Sequence, residues 1–373
     1  MRTRSGRGAP RGRALTGADQ VPSGRGTAQS AVDGRRLTLG KDGRLTAYAR
    51  TGDGLLRWTE KRPGGPEWTG PDFFPVAHLT HLSVAQGADT YVHFVARRET
   101  PRAGGPPAID VVHAIQYQTG RPVTEWRSLG NPHGEPDRAA RLGVPAAAVS
   151  ASGRVHVFVR NAGGGVMLRR ESPTGKWEPW HDLKGSGVHD GLVPLAHASG
   201  RIALLAGGER NAMWWRQPEP EGDIRRELNI PVRMAPGTVS ALETGPDRAT
   251  YYWADPDSGG IVAHRPGGWL IPLGGTPAGG PVAAVRAVLD GYDCTVLGHR
   301  DAGGDIMLAA FGTEDEQSGV WWSPAGERGT GTPVLALDAA GRVVLAAHGP
   351  DGALRVARQT GEPGLVMAPS QAL

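Results

Sequence analysis

The sequence repeats a unit of about 47 residues, and this repetition constrains the fold more than any other feature. Each unit contains a short apolar strand, a small turn, an alternating strand, a glycine-rich hairpin and another alternating strand. A fourth strand, which contains tryptophan or is apolar, then precedes a Gly/Pro loop. Aligning the hairpins gives one equivalent position per copy, namely Arg50, Arg97, Arg160, Gly208, Asp255, Arg300 and His348. These positions lie 47, 63, 48, 47, 45 and 48 residues apart. Seven units therefore span residues 35–370, and the long second interval reflects Gly/Pro-rich insertions at 102–108 and 131–143.

Each unit has four strand signals with period-two alternation, as in Val155, Val157 and Val159. The hairpins contain the glycines that tight turns with positive φ require. Seven copies of four antiparallel strands predict an all-β fold, a seven-bladed β-propeller of four-stranded antiparallel blades. Radial closure leaves only short strand edges exposed, whereas an open sandwich of so many strands would leave long ones. A two-domain all-β arrangement is the structural alternative.

The ends of the chain must meet if the blades form a ring. The first unit starts near residue 35 and the last is complete within one segment that ends in Leu365–Pro369. We therefore expect the ring to close by packing of neighbouring blades. The alternative is that part of residues 14–34 adds a strand to the last blade.

Composition supports this fold and excludes several others. The 57 glycines argue against long helices, because an internal glycine costs roughly 1 kcal/mol relative to alanine. No apolar stretch approaches the length of about 18 residues that a membrane-spanning helix needs. The lone cysteine, Cys294, excludes an internal disulfide and a cysteine-cluster metal site.

Basic charge is concentrated at the N-terminus. Residues 1–34 contain six arginines and two aspartates. Removing these from the totals of 41 basic and 37 acidic residues leaves 35 of each in residues 35–373. We therefore interpret residues 1–34 as a basic, flexible tail and residues 35–373 as the propeller. A nucleic-acid groove is not expected on the neutral body, because phosphate binding needs clustered surplus charge.

The tail could contact an anion or a protein partner. It does not resemble a secretory signal, because no apolar segment of 7–15 residues follows its arginines. Secreted and cytoplasmic locations both stay open.

The repeat pattern resembles bacterial lectin-type propellers that bind fucose and O-methylated sugars. The best copy combines Arg160–Gly165 with Trp177, Trp180 and Leu183. Weaker copies are Trp126 with Leu129 and Gly130, and Trp269 with Leu273, Gly274 and Gly275. The resemblance covers nearly the whole chain after residue 35 and implies a seven-bladed propeller with sugar pockets. The copies have diverged, and only the third keeps the hairpin arginine and both tryptophans.

Aromatic and arginine side chains together suit a saccharide. An aromatic plane covers the C–H face of a pyranose, and arginine donates directed hydrogen bonds to its hydroxyls. The resulting candidates for sugar binding are Arg160 with Trp177 and Trp180, Arg50 with Trp58 and Trp68, and Arg97 with Trp126. The alternative is that a tryptophan repeated once per blade packs one blade against the next. In the pairs Trp214–Trp215 and Trp321–Trp322, one member should face the core and the other should face outward or a blade boundary.

Three functions follow from these patterns. The favoured one is a non-catalytic, carbohydrate-binding propeller with glycan partners. The alternatives are a protein-interaction subunit of a larger assembly and an enzyme that uses the central channel. No catalytic residues, cofactor or metal ligands are assigned, because no paired carboxylates, phosphate-binding loop or ligand triplet has a recognisable spacing. Enzymatic activity stays open.

Overall fold

A computed structural model describes residues 32–34 and 36–373 of the chain. These residues form seven antiparallel four-stranded sheets in consecutive order along the sequence, and one short additional strand. The fold is therefore a seven-bladed β-propeller, as the repeat predicted. Residues 1–31, which contain most of the expected tail, lie outside the described residues.

The strands of blades one to three are as follows. The additional strand is β1 (Val32–Gly34). Blade one comprises β2 (Leu37–Leu39), β3 (Leu45–Arg50), β4 (Gly54–Glu60) and β5 (Trp68–Pro75). Blade two comprises β6 (Leu79–Gln86), β7 (Val92–Thr100), β8 (Ala108–Gln116) and β9 (Arg127–Gly130). The short helix α1 (Pro136–Ala139) follows, and blade three comprises β10 (Ala146–Val149), β11 (Val155–Arg160), β12 (Val166–Arg170) and β13 (His181–Asp182).

Blades four to seven follow the same order. Blade four comprises β14 (Val193–Ala196), β15 (Ile202–Gly207), β16 (Ala212–Arg216) and β17 (Arg225–Arg226). Blade five comprises β18 (Ser240–Gly245), β19 (Arg248–Ala254), β20 (Ile261–His264) and β21 (Leu270–Gly274). Blade six comprises β22 (Ala283–Leu289), β23 (Tyr292–Arg300), β24 (Asp305–Gly312), the 3-10 turn η1 (Glu316–Ser318) and β25 (Ser323–Arg328). Blade seven comprises β26 (Val334–Leu337), β27 (Val343–His348), β28 (Leu354–Arg358) and β29 (Gln371–Ala372).

The hydrophobic core consists of seven clusters, one at each boundary between neighbouring blades. In β11, Val157 and Val159 pack against blade two, whereas Phe158 between them packs against blade four. This follows from the alternation of side chains along a strand, which lets each blade contribute to two cores. The propeller therefore has no single central core, and its stability depends on the boundaries.

The ring closes by packing of blade seven against blade one. Leu45 and Ala47 of blade one share a buried cluster with Val344 and Ala346 of blade seven. Both blades obtain all four strands from a single segment each, which confirms closure by packing. The described part of the segment 14–34 is β1, and it pairs in parallel with the innermost strand of blade two rather than with the last blade.

The two ends of the propeller differ in the connections that they carry. We call the end with the turns between the first and second strands and between the third and fourth strands the turn face. We call the opposite end, with the second-to-third-strand hairpins, the hairpin face. The repeated turns before Arg154 and Arg342 lie on the turn face, where Gly153 and Gly341 have φ of 84° and 77°, a conformation that favours glycine.

Within the described part of the chain, no helix is long and apolar enough to span a membrane.

Candidate binding cleft between blades four and five

The three hairpin arginines that are candidates for sugar binding lie on the hairpin face, and each reaches toward the following blade. Arg50 donates to the Leu79 carbonyl at 3.1 Å. Arg97 contacts Glu99 and donates to the Ala140 carbonyl at 3.5 Å. Arg160 forms two hydrogen bonds with Asp190, at 3.2 and 3.1 Å, in the connection to blade four. In the structure these arginines join consecutive blades.

Arg160 is not brought together with Trp177 and Trp180. Both indoles pack at the boundary between blades two and three. The Trp180 indole N–H donates to the Leu129 carbonyl of blade two at 3.2 Å, and Trp177 makes an edge contact with His113. Arg160 faces the opposite boundary, because its partner Asp190 lies in the connection to blade four.

In the other two candidate groups, the arginine and the tryptophans also lie at different blade boundaries. Trp58 and Trp68 pack at the boundary between blades seven and one, whereas Arg50 bonds to blade two. Burial lowers the pKa of the Arg50 guanidinium.

Trp126 packs with Phe94 at the boundary between blades one and two. Arg97 bonds instead toward the connection between blades two and three. Sugar contact at these candidate positions stays a prediction.

Most tryptophans pack blade against blade. Four indole N–H groups donate to a carbonyl of the outer part of the preceding blade, namely Trp180 to Leu129, Trp215 to Leu183, Trp253 to Arg233 and Trp322 to Leu273. The expected division of the adjacent pairs is confirmed. Trp215 is fully buried and Trp214 lies half-buried at a blade boundary, while Trp322 packs inward and Trp321 is 74% exposed.

A repeated turn motif has a structural role that sequence reasoning missed. In blades one, three, four and seven, a Gly-Arg turn is followed by a residue whose backbone N–H donates to a Glu or Gln side chain at the end of the third strand. These pairs are Leu45–Glu60, Val155–Glu171, Ile202–Gln217 and Val343–Gln359. The spacing of 15 or 16 residues recurs in the sequence and could have revealed the motif.

The turn arginines of three of these blades also bridge to the next blade. Arg154 pairs with Glu221 at 2.6 Å, Arg201 pairs with Asp247, and Arg342 donates to the Gly64 carbonyl at 2.9 Å. Repeated arginines therefore hold neighbouring blades together on both faces of the ring.

A cavity of about 360 Å³ opens on the turn face between blades four and five. Blade four contributes the half-buried indole of Trp214 and the guanidinium groups of Arg201 and Arg216. Blade five contributes a second set of lining residues, Asp247, Arg248, Arg265 and Pro266. Cavities of this size with an aromatic wall and a few polar groups are typical of small-molecule sites.

The charges around this cavity are compensated. Arg216 lies 5.2 Å from the centre of the Trp214 ring and donates to Glu227 at 2.9 Å. Arg248 bonds to Glu314 of blade six through two nitrogens, at 2.9 and 2.6 Å. The walls therefore present fixed donors and acceptors at little net charge.

Arg265 anchors the blade-five wall. It binds the buried carboxylate of Glu316 at 2.7 and 2.8 Å and donates to Thr250 at 3.2 Å. The hydrogen bonds that Arg265 donates to Glu316 raise the pKa of Arg265. For Glu314, burial would raise the carboxyl pKa, but the bonds from Arg248 and Thr244 hold it below its usual value. The Glu314 carboxyl and the Arg265 guanidinium therefore both stay charged at neutral pH.

His197, Glu243 and Asp247 form a group beside the cavity whose potential ligand atoms lie within 4.8 Å of one another. These atoms already have partners. His197 bonds to Glu243 at 3.1 Å, and Asp247 accepts from Ser199 and Arg201. A metal ion would have to displace the Arg201 guanidinium, so we assign these residues to the polar wall of the cavity.

Comparisons with known proteins identify the class of fold. A scan against models of known protein families finds no match, and a search of curated proteins finds no match either. Solved structures are similar at low sequence identity. The BP39L lectin from Burkholderia pseudomallei has a TM-score of 0.64 at 14% identity, over 92% of this chain and 100% of that one. The resemblance to lectin-type propellers is thus confirmed at the level of the fold.

Two further structures show how widely this fold is shared. AofleA from Arthrobotrys oligospora has a TM-score of 0.53 at 12% identity, over 80% of this chain and 87% of that one. An ulvan lyase, a polysaccharide lyase bound to a saccharide of GlcA and Rha3S, has a TM-score of 0.57 at 10% identity, over 92% and 96% of the two chains. Because lectin and lyase share the fold, function must be argued from the site.

Proposed function

We propose that this protein binds glycans without catalysis, in the cavity between blades four and five. The observation that carries the proposal is the combination of the Trp214 indole with Arg201, Arg248 and Asp247 around a space of about 360 Å³. The indole offers an apolar plane to the C–H face of a sugar ring. The guanidinium and carboxylate groups offer donors and acceptors to its hydroxyls.

The fixed ion pairs of the walls favour binding of a polar, hydroxyl-rich ligand. Arg248 and Arg265 are each held by two hydrogen bonds to a carboxylate, so little side-chain entropy is lost when a ligand binds. The likeness of the fold to a lectin from Burkholderia pseudomallei agrees with this function. Weaker sugar contacts at Arg160, Trp180 and the other inter-blade candidates are a separate part of the proposal, and they would add avidity.

The test is a glycan array probed with the purified protein and with two cavity variants, Trp214→Phe and Arg248→Gln. We expect binding to fall about tenfold or more in Arg248→Gln, because a charged donor to the sugar is lost. The matched control is Arg286→Gln, which removes an arginine from an exposed ion pair with Asp293 on blade six. If the folded protein retains no glycan, or if Arg286→Gln weakens binding as much as Arg248→Gln, the proposed site is wrong.

A protein-interaction role is the second candidate, and one observation favours it. Of the large hydrophobic side chains that are exposed in the described chain, five lie between residues 269 and 321, on blades five and six. Val288, Tyr292 and Trp321 are 68%, 74% and 74% exposed. If the protein co-purifies with a partner, the double variant Tyr292→Ser with Trp321→Ser should release that partner and leave glycan binding unchanged.

A further inference from the structure

Trp269 differs from the tryptophans that pack between blades. It is 89% exposed, more than any other described tryptophan. Its backbone lies between the turn that ends blade five's third strand and the start of β21, where Leu270 pairs with His264. A single exposed apolar side chain is ordinary on a protein surface. Exposure alone therefore carries no conclusion, and the position of the residue must be considered.

The turn that presents Trp269 is also part of the cavity wall. Arg265 and Pro266 line the cavity, and the Gly268 N–H donates to the Arg265 carbonyl at 2.8 Å, which closes a β-turn. The ends of a β-turn lie within about 7 Å of each other, so the Trp269 Cα lies within about 11 Å of the Arg265 Cα. Trp269 therefore directly follows a turn that forms part of the cavity wall, and we call this turn the rim.

The turn is held in place, so the rim is preorganised. Arg265 is fixed by two bonds to Glu316 and one to Thr250. An indole has only two side-chain torsions, so an aromatic side chain that follows this turn loses little entropy when a second group packs on it. A cavity with such a rim suits a ligand that is longer than the cavity itself.

We propose that the site takes an oligosaccharide, with one sugar ring in the cavity beside Trp214 and a following ring stacked on Trp269. This inference rests on the proposed glycan-binding function and names the class of glycan. It assigns Trp269 to a second subsite that extends the ligand toward the rim of blade five. A single sugar would occupy only the cavity and would not contact Trp269.

The experiment compares Trp269→Ala with the unmodified full-length protein on an array that presents fucose, galactose and glucuronic acid both as single sugars and as the terminal units of trisaccharides. We expect Trp269→Ala to weaken trisaccharide binding about three- to tenfold, the range of one aromatic contact, and to leave single-sugar binding unchanged. The control is Tyr117→Ala, which removes a 48% exposed aromatic from the corresponding turn of blade two, three blades away. Tyr117→Ala should change neither trisaccharide binding nor single-sugar binding.

The outcomes separate the two proposals. If Trp269→Ala binds trisaccharides as tightly as the unmodified protein, while Arg248→Gln loses all binding, the second subsite is wrong and the cavity stands. If Trp269→Ala weakens single sugars and trisaccharides equally, Trp269 belongs to the first subsite and the extension is wrong. If the unmodified protein binds no glycan on the array, both proposals are wrong. Melting temperatures of the variants check that each is folded.

Discussion

The boundary between blades seven and one and the boundary between blades four and five use similar residues in different ways. At the first, Arg358 binds the fully buried carboxylates of Glu60 and Asp338, and Arg342 reaches the Gly64 carbonyl. At the second, the pair Arg201–Asp247 is one-third exposed and borders a cavity. Buried ion pairs fill the first boundary, which we call the closed boundary, and the second, which we call the open boundary, contains a cavity.

A single position accounts for part of this difference. Glu60 lies at the end of the third strand of blade one and accepts a hydrogen bond from Leu45. In blade five, the register of the Tyr251–His264 pair continues to place Pro266 opposite Ala249, at the corresponding position. Proline has no side-chain acceptor, so the space that a Glu or Gln fills elsewhere borders the cavity here. At this position the closed boundary has a buried carboxylate that accepts a backbone N–H, and the open boundary has a proline that borders the cavity.

The largest expected effect comes from breaking the closed boundary. Glu60→Ala would remove one of the two buried carboxylates that bind the Arg358 guanidinium. Removal of one member of a buried ion pair costs about 3–5 kcal/mol. The free energy of unfolding in urea should fall by about this amount. The control Glu67→Ala removes an exposed pair with Lys61 from the same turn and should have no measurable effect. If Glu60→Ala and Glu67→Ala lower the free energy of unfolding equally, the buried ion pairs of Arg358 do not stabilise the boundary that closes the ring.

The next largest effect is expected at acidic pH, where protonation of buried histidines should lower the free energy of unfolding. Burial lowers the pKa of His156 to about 4, from 6.5 in the unfolded chain. Between these values the unfolded chain binds a proton that the folded chain does not, so stability is lost as pH falls, by about 1.4 kcal/mol per pH unit. We expect His156→Gln to reduce the pH slope of the free energy of unfolding between pH 6.5 and 5. The control His181→Gln makes the same substitution at a half-exposed histidine of the same blade, and an equal effect of the two variants would contradict the role of burial.

The Asp338 carboxyl of the closed boundary responds in a different pH range. Burial would raise the pKa of Asp338, but hydrogen bonds from Arg342 and from the Ala340 backbone lower it below 3.8. Its contribution is present above pH 3.8 and is lost as pH falls through its lower folded value. Asp338 should therefore contribute nothing to the loss of stability above pH 5, and the pH slope of the free energy of unfolding in that range should be the same in Asp338→Asn as in the unmodified protein.

A smaller effect is expected from the indole hydrogen bonds that join blades. Trp180→Phe removes the N–H that donates to the Leu129 carbonyl but keeps most of the ring in place. We expect a loss of about 1 kcal/mol in the free energy of unfolding, since a typical hydrogen bond contributes that much. Trp321→Phe, at a 74% exposed position, should be neutral. If Trp180→Phe leaves the free energy of unfolding unchanged but reduces glycan binding, Trp180 contacts the sugar rather than joining the blades.

The smallest change in stability should follow from closing the open boundary. Pro266→Gln restores the side chain that the other repeats use to accept a backbone N–H. We expect stability to change by less than about 1 kcal/mol, because a surface-turn substitution gains one bond and loses proline rigidity. Glycan binding should nevertheless weaken, because the new side chain enters the cavity. If Pro266→Gln binds glycans as tightly as the unmodified protein, the lack of a side-chain acceptor at residue 266 does not explain the glycan-binding cavity.

The sequence predicted the fold well, whereas the residues that it grouped into candidate sites do not come together in the structure. The hairpin spacing of 45–48 residues and the alternation in strands such as β11 were sufficient for seven four-stranded blades. The candidates Arg160 and Trp180 were chosen because they lie close in one repeat, yet they face opposite boundaries. Spacing along one blade does not show which neighbour a side chain faces. The cavity joins residues from two blades, such as Trp214 and Arg248, that no single repeat contains.

The sequence alone therefore determined the number of blades and their strands, because these depend on local periodicity and turn chemistry, which recur along the chain. The tertiary structure decided which boundary is locked, which is open, and where the exposed indole of Trp269 lies. These properties depend on pairs of residues about one repeat apart, as in Arg201 with Asp247, or at opposite ends of the chain, as in Glu60 with Arg358. Such pairs form only when the ring brings neighbouring blades into contact.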